Sequence, residues 1–272
     1  MSKTTNDFST GLADVQNRPD DRAIGIDRVG VRGIQFPIKV LDKANGVQST
    51  VARIAMSVSL PHQFKGTHMS RFMELLNEHC EPITVESIPI LLKEMKKRLD
   101  AEAAHLEIEF PYFIKKAAPV SGVEGLVAYN CRLLGSAPSS SRDARVDIGA
   151  EVEVPVMTLC PCSKEISSRG AHNQRGIVKV AVRFRKMFWI EDIIAAVETA
   201  ASCQIYSVLK RVDEKYVTEK SYDNPVFVED LVRNVAKAFI KDKNIRFFSI
   251  EAENMESIHS HNAFAYISHE RD

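Results

Sequence analysis

The same order of secondary structure occurs twice along this chain, and that repetition constrains the fold more than any other feature. In the first half, period-two alternation and helical spacing of apolar residues predict strand, strand, helix, helix, strand and strand over residues 33–41, 50–60, 67–80, 84–105, 106–114 and 125–135. The order returns in the second half over residues 146–156, 177–185, 190–211, a helix opening at Asn224-Pro225, 245–253 and 262–268. Two such copies predict a duplicated α+β unit, ββααββ, with antiparallel sheets.

Polar segments set the predicted boundaries of the two units. Residues 1–24 lack an apolar core and are predicted to form a disordered arm. The first unit spans residues 25–136, and a linker rich in serine and proline covers residues 137–144. Residues 145–272 form the second unit, which carries the candidate site.

Composition and cysteine usage exclude several classes of protein. The formal net charge is zero, which argues against a dedicated nucleic-acid or membrane-surface binder. No run approaches the roughly 18 apolar residues that cross a bilayer, and no signal peptide is visible. The five cysteines are too scattered for a disulfide scaffold, which predicts reduced thiols in a cytoplasm.

A loop in the second unit carries two cysteines and a histidine, whereas the equivalent loop of the first unit is a short turn at Asn45-Gly46. Cys160, Cys162 and His172 lie in this long connection, and two further connections, residues 211–220 and 253–262, supply carboxylates and histidines. A thiolate, an imidazole and a carboxylate can bind a divalent cation that lowers the pKa of a bound water to about 7. Taken singly, a buried cysteine, a structural histidine or a solvated charged face explains each residue equally well.

Two further patterns each have a structural and a functional interpretation. Glu229 lies near a helix N-terminus, where an acid favours the helix dipole; it could equally accept two N–H bonds from a guanine-like base. Residues 65–71 (Lys-Gly-Thr-His-Met-Ser-Arg) lie at a helix start and could receive phosphate, or could be an ordinary threonine-capped helix with solvated cations.

These segments together resemble a known family. Residues 65–71, 159–167, 170–175, 213–220, 225–229 and 256–259 look like the corresponding motifs of prokaryotic type IB GTP cyclohydrolase I. The resemblance covers about residues 25–268, and the arm falls outside it.

The resemblance implies a fold, an assembly and a reaction. The fold would be the tunnelling fold (T-fold), in which each ββααββ unit is a small antiparallel sheet with two helices on one side. Two units per chain would assemble into a homotetramer with active sites at subunit interfaces. The reaction would convert GTP and water to 7,8-dihydroneopterin triphosphate and formate, the entry to folate synthesis, with no nucleic-acid or membrane partner.

The resemblance also implies roles for individual residues. The metal-binding positions are Cys160, His172 and Glu214. The catalytic positions are Cys160, Cys162, Glu256 and His259, with Glu256 and His259 suited to proton transfer. Glu229 would anchor the purine-derived ring. The triphosphate would meet Lys65, His68, Ser70 and Arg71 of a neighbouring subunit, or Lys164 and Arg175. Each site would hold one divalent metal, zinc or manganese, with other divalent ions possible.

Two alternatives use the same residues differently. A nitrile reductase of related fold would use a cysteine nucleophile and NADPH, but no segment resembles its NADPH-binding motif. A metal-stabilised assembly protein would use the cysteine–histidine loop as a structural staple, and removing its metal would unfold it.

Overall fold

A computed structural model describes residues 16, 18–79, 83–139 and 146–271. The described residues of the first half form four strands and two helices: β1 (Ile26–Asp42), β2 (Gly46–Leu60), α1 (Ser70–His79), α2 (Ser87–Arg98), β3 (Ala104–Ala117) and β4 (Glu124–Ala137). The described second half contains five strands and four helices: β5 (Asp147–Leu159), α3 (Pro161–Ile166), β6 (Asn173–Phe184), α4 (Ile190–Ala200), β7 (Cys203–Gln204), α5 (Arg211–Asp223), α6 (Val228–Lys241), β8 (Ile245–Asn254) and β9 (Ala263–Glu270).

The nine strands of the described residues belong to one antiparallel sheet. Eight of them run in the order β1-β2-β3-β4-β5-β6-β8-β9, and the short β7 pairs with β5 beside this path. Side chains alternate between the two faces of each strand, so one face is buried and the other carries charge. Along β3, Leu106 and Ile108 are buried, while Glu107 and Glu109 lie on the open face.

The hydrophobic core lies between the buried face of the sheet and the helices. Ile54 and Leu106 of the sheet and Leu92 of α2 belong to the same buried cluster as Val180 of β6 and Leu231 of α6. Both halves therefore share one continuous core, and burial of these side chains is the main source of stability.

The predicted fold class, a tunnelling fold of two tandem ββααββ units with separate antiparallel sheets, is wrong. The sheet continues across the boundary between the halves, because β4 pairs with β5 from Asn130↔Glu153 to Ser136↔Asp147. The second half also departs from the repeated order, since α3, β7 and α5 are added to it. The two halves have similar local sequence patterns, but their strands join a single sheet.

The junction between β4 and β5 is paired over only part of its length. Beyond Asn130, β4 leaves β5, and the freed edge of β5 pairs with Gln204 and Cys203 of β7. For this reason the helix predicted over residues 190–211 ends early, at Ala200. The backbone that follows pairs with β5, an example of tertiary contacts overriding local propensity.

A buried ionic cluster occupies this junction. Lys116 of β3 forms an ion pair with Glu198 of α4, and both side chains are almost fully buried. Tyr129 Oη donates to Glu198 Oε1 at 2.7 Å, and Lys116 Nζ donates to Gln204 Oε1 at 2.9 Å. Every partner comes from a different element, so the cluster ties α4 and β7 of the second half to β3 and β4 of the first.

Other sequence predictions concern boundaries. The helix predicted over residues 84–105 ends at Arg98, and His105 lies in β3. Asn224-Pro225 does not open α6: Phe227 is its N-cap, and Asn224 Nδ2 instead donates to Ala201 O. Most of the predicted arm, and residues 140–144 of the predicted linker, lie outside the described residues, so the boundary at residues 137–144 stays a prediction.

The described part of the chain contains no helix long and apolar enough to cross a membrane. Within that part, the four cysteines, Cys131, Cys160, Cys162 and Cys203, are free thiols.

Removing the charge of Glu198 tests the junction. In Glu198→Gln, the buried Lys116 ammonium loses its counter-charge, and we expect the free energy of unfolding to fall by about 3 kcal/mol. Glu219→Gln is the matched control, because the Lys215–Glu219 pair is exposed and its loss should change stability by less than about 0.5 kcal/mol. Urea denaturation at one protein concentration measures both; equal midpoints would show that the cluster does not hold the halves together.

Candidate active site

A cleft of about 290 Å³ opens where β5 and β8 end and β6 begins. Its chemistry-bearing lining residues are Cys160, His172, Gln174, Glu229, Asn254, Glu256, His259 and His261. Five of these, Cys160, His172, Glu229, Glu256 and His259, are residues that the sequence singles out. The cleft therefore brings together residues from connections that are far apart along the chain.

Backbone hydrogen bonds place Cys160 beside His172. Cys160 follows β5 directly, and its N–H donates to the carbonyl oxygen of His172 at 3.1 Å. Ser163 bonds to both residues: its N–H donates to Cys160 Sγ at 3.4 Å, and its Oγ accepts from His172 N at 3.2 Å. The connection predicted as a long loop therefore contains the short helix α3 and a turn, and these hydrogen bonds join its two ends.

The entry to α6 forms another wall. Val226 N–H donates to the carbonyl oxygen of Leu159 at 3.1 Å, which fixes this segment beside Cys160. Glu229 is the second residue of α6 and is exposed to the cleft, in the first turn where unpaired helix N–H groups favour negative charge.

The connection between β8 and β9 supplies the remaining acid–base groups. Met255 N–H donates to Arg175 O at 2.9 Å and so anchors this connection to β6. The Glu256 side chain is only 10% exposed, whereas His259 and His261 are exposed and their rings stack with centroids 5.2 Å apart. Both histidines line the cleft.

Two of the predicted catalytic and metal-binding residues do not line this cleft within one chain. Cys162 is exposed on α3, and Glu214 is exposed on α5. The C-terminal end of α5 is the part near α3, where Lys164 Nζ donates to Tyr222 O at 2.5 Å. Glu214 lies eight residues before Tyr222, about 12 Å along the helix. Across residues 16, 18–79, 83–139 and 146–271, no three His, Cys, Asp or Glu side chains form a group that could hold a metal ion.

The predicted phosphate-binding residues lie at the other end of the sheet. Lys65, His68, Ser70 and Arg71 follow the end of β2. The pairings of β2 with β3, of β3 with β4 and of β4 with β5 place the start of β5 at the same edge of the sheet as the end of β2. The cleft lies where β5 ends, 13 residues further along, or about 40 Å. These residues therefore cannot reach the cleft of their own chain. Arg71 Nη1 donates to Arg98 O at 3.0 Å.

Sequence patterns gave no role to Gln174 or Asn254. Gln174 and Asn254 are polar residues on the buried face of β6 and β8, 7% and 3% exposed, where a strand pattern predicts apolar side chains. Asn254 Oδ1 is buried without a hydrogen-bond partner in the described structure. A polar residue at a buried strand position, directly beside a loop rich in candidate residues, is the feature that could have revealed both.

A cleft that combines a thiol, imidazoles and carboxylates at the end of a rigid sheet defines an enzyme, with groups suited to metal binding and proton transfer. Comparison with known proteins is more specific. The family model of type I GTP cyclohydrolase FolE2 matches residues 12–265. The chain therefore belongs to the type I GTP cyclohydrolase FolE2 family.

Curated relatives agree over nearly the full length. The chain is 55% identical to GTP cyclohydrolase FolE2 of Desulfosudis oleivorans over 257 residues, 94% of this chain and 98% of the relative. It is 56% identical to GTP cyclohydrolase FolE2 of Syntrophus aciditrophicus over 259 residues, 95% of this chain and 100% of the relative. The resemblance to GTP cyclohydrolase I predicted from sequence motifs is thus confirmed at the level of this family.

The structural comparison concerns the fold alone. Urate oxidase from Bacillus subtilis superposes with a TM-score of 0.54 at 8% sequence identity, over 90% of this chain and 98% of that chain. The observed architecture is thus urate oxidase-like, one large antiparallel sheet with few helices, in place of the predicted T-fold.

Gly176 offers a test of the cleft floor. A Cβ at this position would lie 2.7 Å from Asn254 Oδ1 and 3.4 Å from Val156 Cγ2, so Gly176→Ala must displace the buried Asn254 side chain. We expect a loss of about 1–2 kcal/mol in the free energy of unfolding and a lower kcat/KM. Gly25→Ala, whose Cβ meets nothing closer than 3.4 Å, is the control for stability. Wild-type kcat/KM in Gly176→Ala would mean that the floor tolerates the shift.

Proposed function

We propose that this cleft is the active site at which the chain carries out the GTP cyclohydrolase I reaction. The protein is a GTP cyclohydrolase I of folate biosynthesis: it hydrolyses GTP to 7,8-dihydroneopterin triphosphate and formate, the first step toward tetrahydrofolate. The single observation that supports this assignment of the cleft is the convergence of Cys160, His172, Glu229, Glu256 and His259 in one opening. The narrower assignment to the prokaryotic type IB form rests on the motif residues.

Cys160 and His172 would hold one divalent metal ion. Their donor set fits, because a thiol and an imidazole line the same cleft and a hydrogen bond joins their backbones. The proposed third ligand, Glu214, is exposed on α5 and would come from a neighbouring subunit. Thiolate favours zinc, while carboxylate tolerates manganese. When bound, the ion supplies a Lewis acid and an activated water for hydrolysis.

Glu229 would anchor the base. Guanine presents two adjacent N–H donors on one edge, and a carboxylate accepts both in a bidentate pair. At the second position of α6, the carboxylate lies where the helix dipole favours negative charge. This pairing selects guanine, because adenine lacks the same donor pair.

Proton transfer would fall to Glu256 and His259. Both line the same cleft as Glu229, and hydrolytic opening of the ring followed by formate release requires several proton transfers. Glu256 is largely shielded from water, whereas His259 is exposed and can exchange protons with solvent. Cys162, exposed on α3, would border the site in the assembled protein.

The triphosphate would meet Lys65, His68, Ser70 and Arg71 of a neighbouring subunit in a homotetramer. The distance of about 40 Å along β5 excludes the same chain's own loop. Within the chain, Lys164 is an alternative, but its Nζ already lies 4.4 Å from the centre of the Tyr222 ring and donates to the Tyr222 carbonyl. The cytoplasmic location expected from the reduced thiols belongs to the same proposal.

Incubation of metal-reconstituted protein with GTP tests the reaction. Formate and the fluorescence of the oxidised pterin should appear in equal amounts, be lost with chelator and return with metal. NADPH consumption with a nitrile substrate would instead indicate the reductase, and unfolding on chelation without any formate would indicate a structural metal.

Cys160→Ala tests the metal assignment. We expect turnover to fall by at least about 1000-fold and bound metal to be lost, because the thiolate ligand acts as a unit with the rest of the site. The circular dichroism spectrum should stay unchanged, since the backbone contacts of residue 160 remain. Glu165→Gln, exposed on the same helix, is the control. An active, metal-loaded Cys160→Ala protein would refute the assignment.

Glu229→Gln tests the base anchor. One acceptor becomes an amide donor, so we expect the Kd for GTP to rise about 10- to 100-fold while metal content stays constant. Asp230→Asn is the matched control, since Asp230 is the adjacent acid of the same helix turn and pairs with Arg233 on the surface. Unchanged GTP binding in Glu229→Gln would mean that another group recognises guanine.

A further inference from the structure

Gln174 connects two residues to which the proposed function gives different roles. Its Oε1 lies 3.0 Å from His172 Nδ1, and its Nε2 donates to Glu256 Oε1 at 3.4 Å. The direct separation between His172 Nδ1 and Glu256 Oε2 is 3.9 Å, too long for a hydrogen bond. The amide of Gln174 is therefore the nearer partner of the imidazole and bridges it to the carboxylate.

The position of Gln174 argues against an incidental contact. On β6, the residues that share its buried face are Gly176, Val178, Val180 and Val182, and Gln174 is the polar member of this row. Burying an amide at 7% exposure is unfavourable unless its polar atoms are hydrogen-bonded. Its contacts with His172 and Glu256 supply bonds at both ends of the amide.

The chemistry of the amide fixes the direction of both bonds. A carbonyl oxygen only accepts, so His172 Nδ1 must carry the proton that it donates to Gln174 Oε1. In the neutral ring this leaves the lone pair on Nε2. The amide nitrogen only donates, which matches a carboxylate at Glu256. Reversing the amide would set Gln174 Oε1 against the carboxylate oxygen, so the observed orientation is the one that satisfies both neighbours.

We propose that Gln174 is a positioning residue that holds His172 in the Nδ1–H tautomer, with Nε2 free to bind metal, and couples it to Glu256. The inference rests on the proposed function, since it assigns His172 to metal binding and Glu256 to proton transfer. Partners of this kind fix the orientation of a histidine ligand and raise its basicity. Through the one amide, the ligand and the carboxylate keep a fixed relation to each other.

Two substitutions separate the two halves of this role. Gln174→Met keeps the length and removes both bonds; we expect the Kd for Zn²⁺ or Co²⁺, measured by competition with a chromogenic chelator, to rise about 10- to 100-fold. Gln174→Glu keeps an acceptor for His172 but loses the donor to Glu256. We expect it to retain metal affinity within about threefold of wild type, yet to lose kcat with little change in KM.

Cys160→Ala and urea denaturation complete the experiment. If Gln174→Met binds metal as tightly as wild type and turns over GTP normally while Cys160→Ala does neither, Gln174 is a packing residue and this inference fails alone. If Cys160→Ala also binds metal and turns over, the proposed site itself is wrong. Should Gln174→Met be destabilised, Gln174→Glu still decides: equal loss of metal affinity and of kcat would overturn the coupling.

Discussion

The pairing of β4 with β5 is the interaction on which the rest of the structure depends. It turns two local patterns into one sheet, and its early end at Asn130 frees the edge that β7 then covers. The Lys116–Glu198 pair occupies the gap, and a buried pair of this kind is stable only when both charges and their hydrogen bonds are satisfied. The far end of β5 can then extend beyond the junction and present Cys160 to the cleft.

The cleft is held by backbone bonds more than by side chains. Each connection that enters it is fixed by a main-chain hydrogen bond to a neighbouring strand or loop: Cys160 to His172, Val226 to Leu159, and Met255 to Arg175. Such bonds form in any protonation state of the side chains. The backbone that carries the site's side chains is therefore held in place independently of those side chains. A site pre-organised for binding and catalysis requires such a backbone.

Local patterns predicted the strands well and the loops of the proposed site partly. Alternation located β5, β6 and β8 because one face of each strand is buried, and the cysteine–histidine loop was visible because its residue types are rare together. Periodicity could not predict the break after Ala200, because Ser202 and Cys203 bond to β5, a strand that is far away in sequence. Nor could it find Gln174, whose role comes from the neighbours that β6 and β8 bring beside it.

The separation of residues 65–71 from the cleft has a genetic consequence. If one copy supplies the cations and another the cleft, an allele that damages only Arg71 and an allele that damages only Cys160 lie in different halves of a shared site. Two such inactive gene products, co-assembled, would regenerate some intact sites. In cells that carry both alleles, the remaining activity would then depend on which subunits assemble together. The two classes of allele would complement each other although they affect a single gene.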